Sequence, residues 1–565
     1  MTERPWLATY PPEIPEDIDP ERIPTLVQLL NQAFIQYADR TALHFMGARF
    51  SYRQLDDYSV ALAAYLQTLP LAKGDRVALM MPNVPQYAAA VAAVLRAGLV
   101  VVNVNPLYTA SELDHQLKDS GAKVMIVLEN FGATVQNCPA HRQLEKIIVC
   151  SMGDCLGLIK GSIVNYVVRH SKKLVAPFTL ERSIRYPDAI REGERHSFSP
   201  VEIGLDDVAA LQYTGGTTGV AKGAVLLHRN LGANVLQVQA WYGPALKTIP
   251  QGEQPLCVCA LPLYHIFAFT VCFLLSMRLG HQVLLIPNPR DMKAVLGELG
   301  KYEFHTLPAV NTLFNGLMSH PDFDKVNWKN LRVVVGGGAA VQSSVAERWL
   351  QRVGQPIVEG YGLSETSPVA SCNFVGTGQK ASGSIGYPMP GTDMAILDDA
   401  GEPVPQGERG EVCIRGPQVM AGYWQRPDET AKSMTEDGFF RSGDIGIMEP
   451  DGMFRIVDRK KDMVLVSGFN VYPNEVEDVA ASFPGVAECA VVGVPDEKTG
   501  EAIKLVVVRK SADVTEAQLR AHCAEHLTGY KRPKYIEFRD NLPKTPVGKI
   551  LRRELRELRD QSTNA

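Results

Sequence analysis

Residues 208–223 read Val208-Ala209-Ala210-Leu211-Gln212-Tyr213-Thr214-Gly215-Gly216-Thr217-Thr218-Gly219-Val220-Ala221-Lys222-Gly223. The apolar run VAALQ predicts a short strand, and the loop after it holds four glycines, three threonines and a lysine. Glycines let the backbone turn tightly and bring its N–H groups against an anion, while threonine hydroxyls and a lysine add donors and positive charge. The loop therefore reads as a phosphate cradle. It is not the G-x-x-x-x-G-K-[ST] loop, because Ala221 and Gly223 flank Lys222, and it lacks the G-x-G-x-x-G dinucleotide fingerprint.

Outward from this loop the same strand-then-turn rhythm repeats. Helical patterns at 26–38 (LVQLLNQAFIQYA) and 87–98 (YAAAVAAVLRAG) alternate with β-rich runs at 76–80 (RVALM) and 123–128 (KVMIVL). Short apolar strands at 258–263, 281–287, 331–339 and 355–362 lead into Gly-rich or polar turns, the usual place for ligand loops in α/β sheets. From about Ser384 the texture becomes short strands punctuated by Gly and Asp, as in GEVCIRG and DGMFRIVDR, which predicts a β-rich subdomain. A charged knot, Asp458 to Asp462, follows, and beyond it helix and strand patterns continue to 527. The expected fold is α/β: a large N-terminal body of layered α/β subdomains with a β-rich subdomain (1–460), plus a small mobile C-terminal α+β domain (461–565).

Composition narrows the function classes. The chain has 565 residues, 45% hydrophobic and 21% charged, with a formal net charge of −5, so nothing favours nucleic acid and small molecules are the expected partners. Ten scattered cysteines form no CxxC pair or zinc spacing and read as reduced and mostly buried. The N-terminus lacks the basic residues and apolar run of a secretory signal, which predicts a cytoplasmic protein. The apolar stretch Leu261 to Met277 reads as a buried helix rather than a membrane span. Residues 159–177 mix an apolar side with Arg169, His170, Lys172 and Lys173. Their first reading is a surface helix with a solvated basic end, and their second is attachment to a membrane surface.

The glycine/threonine loop resembles the phosphate-binding signature of the acyl-adenylate-forming enzymes, the superfamily of acyl-CoA synthetases, peptide-synthetase adenylation domains and firefly luciferase. Tyr361-Gly362-Leu363-Ser364-Glu365-Thr366 is similar to that superfamily's second motif, which implies Tyr361 near adenine and Glu365, with Thr214, on Mg²⁺. A hard cation bridging phosphate oxygens suits a carboxylate ligand. Asp444 of Ser442-Gly443-Asp444 and Arg459 resemble the residues that contact ribose, and Gly336-Gly337-Gly338-Ala339 the loop lying against adenine. Residues 437–463 are similar to the signature block of fatty acyl-CoA synthetases, and 466–478 continue the likeness. Pro543 to Arg553, PKTPVGKILRR, places Lys549 where the superfamily keeps its catalytic lysine, and a lysine after a glycine can project from a turn into another domain's cleft. Likeness extends from about Thr25 onward and points to bacterial long-chain fatty acid:CoA ligases.

The resemblance implies an ATP-dependent ligation of a long-chain fatty acid to coenzyme A through an acyl-adenylate, with AMP and pyrophosphate released. It assigns nucleotide contacts to Tyr213, Thr214, Gly215, Gly216, Thr217, Thr218, Gly219, Lys222, Gly338, Ala339, Tyr361, Asp444 and Arg459. Catalytic roles fall to Lys549, Glu365 and the aromatic-flanked His265, and the hinge to Lys461. The implied partners are a long-chain fatty acid, ATP and coenzyme A with Mg²⁺; peripheral membrane association and a homodimer stay open. A ligase for an aromatic or shorter acid is the nearest alternative. A peptide-synthetase module would need a carrier domain, and none is expected after the PKTPVGKILRR segment; a non-enzymatic nucleotide binder would have no use for Lys549.

Overall fold

The computed structural model describes residues 4–214, 221–376, 383–496, 498–545 and 548–556. Two large sheets form the body. The first orders Gly422–Tyr423, Lys222–Leu227, Val208–Thr214, Val100–Asn103, Arg76–Met80, Ala122–Leu128, Lys146–Cys150 and Ser183–Arg185, the last six mutually parallel. The second has nine strands, six of them parallel in the order Val358–Gly362, Val333–Gly336, Thr306–Ala309, Leu256–Cys259, Gln282–Leu285 and Thr41–Phe45. Segments such as VVVN, LCVC and VVVG are buried throughout, as parallel strands covered on both faces must be.

Helices fill the space around the sheets. Pro85–Arg96 is buried at every position and opens with proline, whose missing N–H costs nothing in the first turn. Tyr52–Gln67 starts at a capping box in which the Ser51 and Gln54 side chains satisfy each other's backbone N–H groups. One apolar cluster joins these helices to strands of both sheets, including Leu62, Tyr87, Val101 and Val333. Residues Ile266 to Met277 are a buried helix with a π-helical run at Ala268–Leu274, as expected from the apolar stretch. Among the described residues no helix is long and apolar enough to cross a membrane.

The β-rich region is a four-stranded antiparallel sheet of Asp393–Leu397, Gly410–Arg415, Phe440–Met448 and Phe454–Arg459. Between its strands the chain detours to pair Gly422–Tyr423 with Lys222–Leu227, which sets a distant tyrosine opposite Ala224. A five-stranded sheet then gathers Val464–Val466, Phe469–Val471, Val486–Asp496, Gly500–Arg509 and Tyr535–Phe538. Helices Pro473–Ser482 and Glu516–His526 pack on it around a separate core that includes Val476, Leu505 and Leu519. All ten cysteines are free, nine of them buried. The segment read as a surface helix is one, at Leu158–Tyr166 continued by Val167–Ser171, but its basic end is only partly solvated, since Arg169 pairs with Glu129 at 2.8 Å.

Candidate active site

Carboxyl ends of strands from both sheets open on one cleft of about 620 Å³. Thr214 ends its strand at the cleft wall, and Tyr213 beside it donates its hydroxyl to Asp119 at 2.7 Å. Gly215, Gly216, Thr217, Thr218 and Gly219 lie outside the described residues. Lys222, on the returning strand, pairs with Glu429 and stands 5.2 Å over the ring of Tyr423.

Glu365 sits in a single turn, Ser364–Thr366, directly after Val358–Gly362, and it is buried. Burial raises its pKa, and the hydroxyl of Tyr423, donating to Oε1 at 2.8 Å, opposes that shift by stabilising the carboxylate. Tyr361, in the strand itself, donates to Asp444 Oδ2 at 2.6 Å, and Arg459 Nε lies 3.2 Å from the other oxygen. Asp444 and Arg459 face each other in the register of their antiparallel strands, which explains why two residues of opposite charge meet at the cleft. Gly337 and Gly338 follow Val333–Gly336. A Cβ on Gly337 would crowd the Gly360 carbonyl at 3.2 Å, and Gly338 has φ of +77°, a conformation that favours glycine.

The small domain supplies the remaining wall. The segment around Lys549 turns back on itself: Gly548 N donates to the Thr545 carbonyl at 2.9 Å, and Lys549 N to the Thr545 hydroxyl at 3.0 Å. Gly548, with φ of +81°, is seated so closely on the large body that a Cβ there would stand 2.4 Å from Thr312 Oγ1. Lys549 is thereby lodged in the cleft with Thr214, Glu365 and Arg459. Enclosure lowers its pKa to about 7; the nearby Arg459 charge pushes the same way, and Asp444 opposes it. Arg552, three residues on, anchors the segment to Glu477 at 2.9 Å and to Asn474 at 2.8 Å. Lys461 lies in the turn between Phe454–Arg459 and Val464–Val466 and also lines the cleft.

His265 lines the same space; burial, then the Lys549 charge, lowers its pKa to about 4, so it is neutral at pH 7. Val238, Tyr242, Leu261, Val335, Cys372 and Met389 also line the cleft. The cleft thus combines cationic and carboxylate side chains with apolar lining. Among the described residues no group of three metal-ligating side chains could hold an ion alone. One carboxylate and one hydroxyl, Glu365 and Thr214, fit a Mg²⁺ ion that takes its other ligands from phosphates and water.

A family model for the AMP-binding enzyme matches residues 30–424, and one for the AMP-binding enzyme C-terminal domain matches 475–549. The chain belongs to the AMP-binding enzymes. It is 51% identical over 553 residues to a long-chain-fatty-acid–CoA ligase of Salmonella typhimurium, covering 98% of each chain. It is 35% identical to a feruloyl-CoA synthase of Amycolatopsis sp over 91% of this chain and 95% of that one. The ATP-bound structure of MatB from Rhodopseudomonas palustris superposes with a TM-score of 0.77 at 28% identity, covering 94% of this chain and 98% of that chain. In this AMP-binding enzyme the structure brings together Thr214, Lys222, His265, Gly338, Ala339, Tyr361, Glu365, Arg459, Lys461 and Lys549 around the cleft. Tyr213 lines the cleft too, and Asp444 joins it through Tyr361 and Arg459. Sequence reading missed Tyr423, whose contact with Glu365 arises from a long-range strand pairing that no local pattern signals. It also missed Glu359, a buried carboxylate before Tyr361 in the same strand that accepts from Val341 N at 3.2 Å.

Proposed function

We propose that this enzyme joins a long-chain fatty acid to coenzyme A at the expense of ATP. In the first half-reaction a carboxylate oxygen attacks the α-phosphorus, the bond to the β-phosphate bridging oxygen breaks, and pyrophosphate leaves with the electron pair. In the second the CoA sulfur attacks the acyl carbonyl, the bond to the adenylate oxygen breaks, and AMP leaves while the thiol proton passes to solvent. Two anions must meet in the first step, so fixed positive charge is the main catalytic need. Lys222 supplies it, and so does Lys549, whose pKa of about 7 rises again when phosphate charge lies beside it, so that it keeps its proton. Mg²⁺ held by Glu365 and the Thr214 hydroxyl would neutralise phosphate charge. Asp444 and Arg459 orient the ribose, Tyr361 and the Gly338-Ala339 backbone flank the adenine, and Gly215 to Gly219 cradle the phosphates. Neutral His265 lines the same cleft, whose apolar lining would receive the acyl chain.

The observation that carries this reading is Lys549, delivered from the small domain into a cleft that Glu365 and apolar side chains such as Val238 and Met389 also line. The division at 460/461, with Lys461 as hinge, belongs to the same reading, as does a place at the cytoplasmic face of the membrane. The test is pyrophosphate release with fatty acids of graded length, with and without CoA. Acid-dependent release that rises with chain length, together with CoA thioester formation, is expected. Release driven better by feruloyl-type acids would instead favour an aromatic substrate, a reading supported by the Amycolatopsis relative.

A further inference from the structure

Asp458 opens the charged knot, and the roles given to Arg459 and Lys461 leave it without one. Its backbone belongs to the β-rich sheet, opposite Ile445 in the pairing of Phe440–Met448 with Phe454–Arg459, yet its side chain reaches into the small domain. The carboxylate is fully buried. Oδ2 accepts from Asn474 N at 2.8 Å, Oδ1 accepts from Arg459 N at 2.7 Å, and Arg552 Nη1 lies 3.6 Å from Oδ1. Burial raises its pKa to about 6, and the Arg552 charge is the largest influence against that shift, so the carboxylate is mostly ionised at pH 7.

The contact with Asn474 completes a helix. Pro473–Ser482 has Tyr472 at its N-cap, and no side-chain hydrogen bond from that residue caps it. Pro473 has no N–H to satisfy, and Glu475 N donates to the Tyr472 carbonyl at 3.1 Å, so Asn474 N is the donor of the first turn left for a partner outside the helix. A carboxylate at that point also meets the positive end of the helix dipole. Arg552 holds Glu477 at 2.9 Å and Asn474 at 2.8 Å, both on this helix, and keeps them wherever the small domain goes. Of these four residues only Asp458 belongs to the large body, and Arg552 stands three residues from Lys549. A turn of the small domain therefore breaks both contacts of Asp458 at once, the cap and the ion pair. We propose that Asp458 is a positioning residue: by capping helix Pro473–Ser482 and facing Arg552 across the domain boundary, it sets the small domain where Lys549 lies in the cleft. That the step served is adenylation rests on the fatty acid ligase reading; that Asp458 places the small domain does not.

The experiment compares Asp458→Ala and Asp458→Asn with wild type in the full chain. Asp458→Ala is expected to slow acid-dependent pyrophosphate release at least about tenfold through kcat, with the KM for ATP little changed, and to leave thioester formation from supplied acyl-AMP near the wild-type rate. Asp458→Asn keeps an acceptor for Asn474 N but no charge for Arg552, and should recover part of the lost rate. Amide exchange followed by mass spectrometry reads the position of the domain itself. Around Val310 and Thr312, where Gly548 is seated on the large body, Asp458→Ala should exchange faster than wild type while the sheet cores stay protected. Near-wild-type adenylation by Asp458→Ala overturns the proposal, as does slowed adenylation with unchanged exchange at that seat. Equal loss of both half-reactions with a lowered melting temperature would make Asp458 a folding residue and equally overturn it. If wild type released no pyrophosphate with any acid, the ligase reading would fall, and the exchange comparison alone would decide whether Asp458 sets the domain.

Discussion

Tyr423 shows how one hydroxyl can set the geometry of a carboxylate, that of Glu365, proposed above to hold Mg²⁺. It donates to Glu365 Oε1 while its ring lies beneath Lys222, so the carboxylate and the phosphate-loop lysine are fixed relative to each other through one side chain. Tyr423→Phe keeps the ring and removes the donor. A hydrogen bond to a charged group contributes roughly 1.5–3 kcal/mol, so the variant should need about tenfold more Mg²⁺ for half-maximal adenylation, with a matching loss in Mn²⁺ affinity measured directly. Unchanged metal dependence would remove Tyr423 from this role. Glu359 offers a second residue-scale test. Burial raises its pKa to about 7, with Asp478 adding to the shift, so the folded state binds this proton more tightly than the unfolded chain does. Its contribution is therefore complete below about pH 4.5 and is lost as pH rises through 7, on the order of 3 kcal/mol in all. Glu359→Gln should flatten the fall in thermal stability between pH 5 and pH 8; a pH profile identical to wild type would refute that. Glu365, Asp444 and Lys549 were legible because each sits in a compact local motif. Tyr423 and Glu359 were not, because their partners come from strands and loops distant in sequence.

Among elements, the strands were the most readable, since parallel strands buried on both faces leave unbroken apolar runs such as VVVN and LCVC. The order of those strands was not readable, because pairing of Leu256–Cys259 with both Gln282–Leu285 and Thr306–Ala309 depends on how the intervening helices pack. The turn bearing Lys549 lies between these cases. Its Gly-Lys pair announces a projecting lysine, whereas the tight seat of Gly548 on Thr312 appears only when the two domains are assembled. Any side chain at 548 meets two separate penalties: a clash with Thr312 Oγ1, and a φ of +81° that costs an L-residue roughly 1–2 kcal/mol. Gly548→Ala should therefore slow acyl-AMP formation at least about tenfold while leaving thioester formation from supplied acyl-AMP near normal. Adding Thr312→Ala should recover part of the rate, since it relieves the clash but not the dihedral strain. No recovery in the double variant would mean that the turn acts through its own conformation rather than through its seat on the large body.

At the scale of the whole molecule, the arrangement seen here suits one half-reaction better than the other. Lys549 fills the cleft wall from the small domain, and Arg552 ties its segment to Asn474 and Glu477 of that domain, so the lysine leaves only if the domain moves as a unit. In the proposed second half-reaction the CoA thiol must reach the acyl carbonyl in a cleft that Lys549 of the small domain helps to wall. A rotation of the small domain resolves the conflict, and it must be absorbed where the two cores are joined by the least structure. The proposed hinge, Lys461, lies in such a connection. It stands in a turn, two residues after Arg459 ends the last strand of the β-rich sheet and three before Val464 begins the sheet of the small domain. Lys460 is held on the large-body side, its N donating to the Gly443 carbonyl at 3.0 Å, and the Asp462 carboxylate on the small-domain side, 3.4 Å from both Arg552 and Arg556, so position 461 falls between the two attachments. Proline at 461 would fix φ near roughly −65° and narrow the set of domain orientations available. Lys461→Pro is expected to keep pyrophosphate release near the wild-type rate and to slow thioester formation from bound acyl-AMP by at least about tenfold. Single-turnover assays of the two half-reactions decide the matter: equal rates in both steps would move the hinge away from Lys461, and equal losses would make the substitution a general defect of folding, which a melting curve would reveal.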